Sequence, residues 1–313
     1  MLAISLAATG LFVALFLPTF HWMAERFRAA DSFYSHGWLI PVASAWLIWQ
    51  RRAFLKTCPI RPSTFGLVLL VPAVVLHLVA IWGRMHVLSG FAMLAALGGL
   101  VWMMAGATLL WTLRFPLAFL LFMVPLPGVL LIAMSFKLKL LAAGLATHAL
   151  NWLGLAAQQA GSMIHLPGGT SVLVDDTCSG LRSMISLLAL ATLWTSFLPP
   201  GAKAIRAERS AGTGRGSASA TRWTRLAIVA SAVPIAVIAN MVRILILVLV
   251  AAIYGPDAAE GFIHYGAGVV VFGVSLMSLL WLSRRLVRSE GYQGRAECRN
   301  RKGSGRQPVV VAS

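Results

Sequence analysis

The sequence predicts an all-α polytopic membrane protein: about eight transmembrane helices, a further helix in the outer interface and a short β-hairpin. Three observations predict it. The 313 residues are 59% hydrophobic and only 11% charged, far from the balance of a soluble domain. Several apolar runs approach or exceed the roughly 20 residues that cross a bilayer. The cations cluster between those runs: six fall in 201–225 and eight in 284–306. That is the loop and tail placement of the positive-inside rule. The +17 net charge therefore does not indicate nucleic acid, because no folded basic face carries it.

In chain order, the expected spans are about 2–20, 37–50, 65–82, 87–105, 107–124, 179–198, 226–250 and 264–283. The first has no cation before it and no small-residue cleavage pattern after it, so it reads as a retained span. Arg51, Arg52, Lys56 and Arg61 mark a cytoplasmic loop, as do 201–225 and the tail from Arg284. Asp31, Asp175, Asp176, Asp257 and Glu260 then fall outside, and eight spans leave both termini cytoplasmic.

Segment 129–157 has a helical pattern. Counting it as a span would put the most basic loop outside, so parity assigns it to the outer interface. Residues 162–174 alternate around Pro167-Gly168-Gly169, a hairpin signal. One transmembrane domain is expected over 1–288, with a flexible cytoplasmic loop at 201–225. The Gly-, Ser- and Arg-rich end, 289–313, reads as a disordered basic cytoplasmic tail.

Within this apolar chain three reactive singletons stand out. Cys178 sits in Asp175-Asp176-Thr177-Cys178-Ser179-Gly180-Leu181-Arg182, at the mouth of a span. Arg243 sits inside an apolar run, where a cation is rare and expensive and usually marks a site. His264 opens the last span. Arg243 lies 17 residues after Leu226, roughly 26 Å along a helix running outward, so all three share the outer leaflet. Thiol, imidazole and guanidinium are the parts of a cysteine acyl-transfer site. A helix N-terminus favours thiolate. His264 can act as base and then as acid. Arg243 can hold an oxyanion with a planar fork of donors.

Asn240, one turn earlier, could hold Arg243, and Arg182 could balance Asp175 or Asp176. The three cysteines, Cys58, Cys178 and Cys298, do not make a disulfide framework. His21, His36 and His148 lack metal-ligand spacing, and no cofactor is expected. A reading from another class is a polysaccharide- or lipid-associated transporter or flipping subunit with Arg243 as its anion site.

At these residues the chain resembles the exosortase family, membrane cysteine enzymes of the exosortase/archaeosortase group. The resemblance runs over roughly 25–285. It rests on Tyr34-Ser35-His36-Gly37, Leu39-Ile40-Pro41, Pro125-Leu126-Pro127, Cys178-Ser179-Gly180-Leu181-Arg182-Ser183, Asn240-Met241-Val242-Arg243-Ile244 and His264, in that order. It implies a catalytic trio of Cys178, Arg243 and His264, with Asp176 at a position often acidic in the family. It also implies substrates: secreted proteins ending in a Pro-Glu-Pro motif, a transmembrane helix and a basic cluster. They would be cleaved near the motif in the bacterial inner membrane, facing the periplasm. The new carboxyl end would pass to water or to an acceptor such as a polysaccharide or lipid, in a setting linked to exopolysaccharide production.

Overall fold

A computed structural model describes residues 2–29, 32–167, 169, 171–174, 180–198, 222–255 and 262–303. The chain divides into two compact units, Met1–Leu138 and Lys139–Ser313. Each is built from apolar helices, and the all-α polytopic class is as the sequence predicts.

The first unit holds α1 (Leu2–Leu15), α2 (Leu17–Arg28), α3 (Leu39–Gln50), α4 (Arg52–Thr57), α5 (Leu67–Trp82), α6 (His86–Ala105) and α7 (Ala107–Phe119). It also holds the first turns of α8 (Gly128–Trp152). Helices α5 and α6 form its closest pair. A Cβ on Gly99 would lie 2.7 Å from the Leu70 backbone nitrogen, so only glycine permits that approach.

Two proline breaks shape this unit. Pro18 follows a 60° bend between α1 and α2. The Thr19 amide bonds to Phe16 O at 3.0 Å, leaving the Leu15 carbonyl outside the helical ladder. His77 of α5 takes it, with Nε2 3.0 Å from Leu15 O. The other ring nitrogen of His77 lies 2.7 Å from Ser89 Oγ, which lies 2.5 Å from Thr19 Oγ1. In α7, Pro116 has no N–H to offer the Thr112 carbonyl one turn earlier. Arg51 Nη1 donates to that carbonyl at 3.1 Å, and Ser44 Oγ donates to Pro116 O at 2.9 Å. Helix α3 thus docks on α7 through the groups the proline exposes.

The second unit holds the rest of α8, a three-stranded sheet, α9 (Leu181–Thr195), α10 (Arg222–Tyr254) and α11 (Phe262–Gly303). Strands β1 (Gln158–Ala160), β2 (Met163–His165) and β3 (Ser171–Leu173) pair antiparallel in the order β1-β2-β3. The expected hairpin is β2-β3, paired Ile164↔Val172. Strand β1, which the sequence pattern does not predict, extends it just past the expected helical segment 129–157. Asn151, one residue before the end of α8, starts the change: its Oδ1 accepts the Ala157 amide at 2.8 Å and turns the chain back. The sheet's inner face (Ile164, Leu166, Val174) packs with Ala142, Ala146 and Leu150 of α8 and Ile244, Leu247 and Val248 of α10. A second cluster joins Leu187 and Ala191 of α9 to Ile228, Ala232 and Ala236 of α10 and Leu279 of α11.

Among the described residues, five helices are long and apolar enough to cross a membrane: Thr64–Trp82, His86–Ala105, Gly128–Trp152, Arg222–Ala251 and Gly266–Arg288. The bent pair Leu6–Leu15 and Leu17–Arg28 makes a sixth if counted as one span. Four of these match the expected spans 65–82, 87–105, 226–250 and 264–283. The expected 107–124 and 179–198 appear as shorter apolar helices, Ala107–Met123 and Leu181–Thr195. The expected 37–50 is the 12-residue α3, roughly 18 Å long, short of a core about 30 Å thick. Helix α8 has the length and composition of a span, so its expected place in the interface rests on loop-charge parity alone.

Helix α11 continues to Gly303, past the expected tail boundary at 288, because extending a formed helix needs no new nucleus. The bulk of the expected flexible loop, 201–221, and the last ten residues of the tail lie outside the described residues.

The His77 network yields a test. His77→Leu strands the part-buried Leu15 carbonyl, at about 1–3 kcal/mol for an unsatisfied group, and removes one of the two partners of the Ser89 hydroxyl. The expected outcome is a thermal midpoint in detergent several degrees lower. Ser89→Ala should lower it too, and the double variant should lose less than the sum, because the two share one network.

Candidate active site

The site is built where α9, α10 and α11 of the second unit come together at one end. Helix α9 begins after Gly180, which caps it in the left-handed region at φ +73°. The Met184 amide and the Ser183 hydroxyl both reach Gly180 O at 2.9 Å, closing the first turn. Gly180 lies directly on the buried side chain of Asn240 in α10. A Cβ there would stand 2.7 Å from Asn240 Cγ and 2.9 Å from its Cβ, so glycine is required twice, for dihedral and for space.

Arg243 follows Asn240 by three residues, just under one helical turn, and is half-buried. Its guanidinium lies over Gly268 of α11: a Cβ on Gly268 would be 3.5 Å from Cζ, 3.6 Å from Nη2 and 3.8 Å from Nη1. Gly268 thus leaves a seat that a larger side chain would fill. His264 lies in the first turn of α11, four residues before Gly268, on the same helix stripe.

The three helices run in alternating directions. Gly180 meets Asn240 at the start of α9. At its other end, Arg225 Nη2 donates to Leu198 O at 2.9 Å. Trp194 of α9 donates to Ser283 of α11 at 3.0 Å. The N-terminal ends of α9 and α11 and the Arg243 turn of α10 therefore share one end. Both N-termini bring the partial positive charge of a helix start there.

Of the residues singled out in the sequence, Asn240 and Arg243 are placed with their side chains in this cluster. Arg182 is half-buried in the first turn of α9. His264 is placed by its backbone. Cys178 and Asp176 lie outside the described residues, as does Asp175. Asn240, expected to hold Arg243, is also seated under Gly180. The seat at Gly268 is not among the expectations from sequence. Its spacing, four residues after His264 at the start of a span, is the signal that could have found it.

The other motif residues meet in the first unit. The Leu126 amide donates to Tyr34 Oη at 3.2 Å. Flanked by Pro125 and Pro127, it is the one amide this tripeptide can offer. The Tyr34 and His36 rings stack at 5.8 Å and 25°. Burial pushes the Tyr34 phenol up, against the lowering effect of the Leu126 bond, and pushes the His36 imidazole down. His36 therefore stays neutral near pH 7. Among the described residues no group of three His, Cys, Asp or Glu side chains is placed to hold a metal ion.

A family model described as a transmembrane exosortase matches residues 22–205 and 217–281, which is most of the chain. No curated protein and no solved structure matches it.

Two glycine substitutions should separate. Gly180→Ala places a β-carbon both in the left-handed region, at about 1–2 kcal/mol, and inside Asn240. It should lower the thermal midpoint in detergent by several degrees or prevent accumulation. Gly268→Ala makes ordinary van der Waals contact with Arg243 and should leave the midpoint within about a degree of wild type.

Proposed function

The chain belongs to the transmembrane exosortase family, and on that premise we propose that it is a membrane-embedded cysteine protease/transpeptidase. It would process secreted proteins at a C-terminal Pro-Glu-Pro-type sorting signal. Family membership and the apolar helices make it a multi-pass membrane protein. The inner membrane and a periplasm-facing site are part of the proposal, as is the link to exopolysaccharide production.

The single observation that carries the reading is the shared end of α9, α10 and α11. Gly180 rests on Asn240, and Gly268 faces the Arg243 guanidinium. Cys178 is tethered two residues before Gly180, and His264 stands one turn before Gly268. In the proposed reaction the Cys178 thiolate attacks the scissile carbonyl. The carbonyl oxygen takes the negative charge, and Arg243 donates to it from a charged, half-buried fork. Collapse breaks the C–N bond, and His264 gives a proton to the leaving amine. Water or an acceptor nucleophile, with His264 now as base, then attacks the thioester and releases Cys178. Arg182 and Asp176 would balance charge at the thiol.

The experiment follows loss of the C-terminal segment from a tagged substrate, in cells carrying each variant at matched expression. Cys178→Ala should abolish processing. Arg243→Lys keeps the charge but loses the fork, and should lose on the order of 10²–10³ in rate. His264→Ala should lose about 10²–10⁴. Asp176→Asn should cost less than either, because an anion there does not favour thiolate. Cys58→Ala and Cys298→Ala should be nearly silent. Normal processing by Cys178→Ala would end the cysteine reading and favour a transporter with Arg243 as its anion site.

Orientation is tested separately. A reporter fused at residue 212 should read as cytoplasmic and one at residue 258 as periplasmic. The opposite pair of signals would put the proposed site on the wrong side.

A further inference from the structure

The small sheet of the second unit has two unlike edges. Beside the β1 edge the Gln159 side chain is anchored: its Nε2 donates to Leu140 O of α8 at 3.2 Å and to Gly161 O of the β1-β2 turn at 2.8 Å. No comparable tie holds the outer edge of β3 among the described residues. The Val174 amide bonds to Ser162 O at 2.9 Å, and Met163 stands opposite Leu173. The alternation of an antiparallel ladder then turns the N–H and C=O of Ser171 and Leu173 outward. Both residues are exposed, Leu173 by 58%. Ser171 Oγ is engaged across the strand pair by His165 Nδ1 at 2.7 Å, which leaves its backbone groups as the free ones. Natural edges of this kind are blunted by lysine, proline or a bulge. Residues 171–174 (Ser-Val-Leu-Val) carry none of these.

We propose that the open edge of β3 is the docking rail for the substrate polypeptide, which adds to the sheet as a fourth, extended strand. This rests on the reading of the protein as a cysteine processing enzyme and specifies how that enzyme recognises its signal. Chain order sets the location: Leu173 precedes Cys178 by five residues, so the rail leads in sequence into the segment that carries the proposed nucleophile.

Strand geometry also suits a signal with alternating prolines. In an extended segment, residues i and i+2 point their backbone groups to the same side. When the central residue of Pro-x-Pro pairs with Leu173, both prolines turn their missing N–H away from the rail and lose no bond. The same prolines bar a further strand from adding on the far side. The central residue exchanges both bonds with Leu173, its N–H to Leu173 O and the Leu173 N–H to its carbonyl.

The test uses the full-length protein in membranes. Leu173→Pro removes the outward amide while leaving the β2-β3 ladder its bonds. Processing of the tagged substrate should fall about ten-fold or more. Labelling of Cys178 by a small thiol reagent should persist. Leu173→Ala keeps the amide and should lose less than Leu173→Pro. If Leu173→Pro fails to accumulate, a photo-cross-linking residue at 173 replaces it, read in the Cys178→Ala background so that the outcome does not depend on cleavage. Substrate cross-linked from 173 and not from 158 on the opposite edge supports the rail. Wild-type processing by Leu173→Pro, or no cross-link from 173, overturns it. Failure of the cysteine reading would register elsewhere, as normal processing by Cys178→Ala.

Discussion

Away from water, every backbone N–H and C=O must find a partner inside the protein, and this constraint organises the structure. At three places a side chain takes the group that a bend, a proline or a helix end frees. His77 takes Leu15 O at the α1–α2 bend, Arg51 and Ser44 take the carbonyls around Pro116, and Asn151 takes the amide that begins the sheet. The contacts of His77, Arg51 and Ser44 join elements distant in sequence, so satisfying the backbone also fixes which helices pack. Among the described residues the outer edge of β3 departs from this rule, and in sequence it precedes the segment that carries Cys178.

The site depends on two glycines as much as on its charged residues. Gly180 lets α9 start against α10, and Gly268 leaves room for a guanidinium between α10 and α11. Arg243 is half-buried, and the N-terminal ends of two helices share its end of the bundle. In the proposed reaction an oxyanion formed there would meet these donors, which is the condition for strong stabilisation of a developing charge.

Much of this is legible in the sequence. Apolar length locates the span-length helices α5, α6, α10 and α11, because hydropathy follows directly from the cost of stranding a backbone in lipid. The alternation in 162–174 locates the hairpin, since its inward residues Ile164, Leu166, Val172 and Val174 are apolar. Arg243 stands out because a cation in an apolar run is too costly to be there for packing alone. Three things are less legible. The chain from 153 to 157 reads as helix, yet α8 ends at Trp152 and the Asn151 side chain takes the Ala157 amide six residues on. Helix α3 reads as a span, yet it has 12 residues and meets α7 through Ser44 and Arg51, a dock that no local pattern encodes. The pairing of Gly268 with Arg243 joins residues on two helices, and periodicity says nothing about which faces meet.

The chain of groups at the α1–α2 bend has a direction. A carbonyl oxygen can only accept, so His77 Nε2 must carry the hydrogen that meets Leu15 O. In the neutral ring Nδ1 is then left with a lone pair, and Ser89 must donate to it. Ser89 in turn can only accept from Thr19. One carbonyl released by one bend thus dictates the rotor setting of two hydroxyls and the tautomer of an imidazole on three different helices. The network has a single ground arrangement, and with a carbonyl fixed as acceptor at one end none of its protons can reverse.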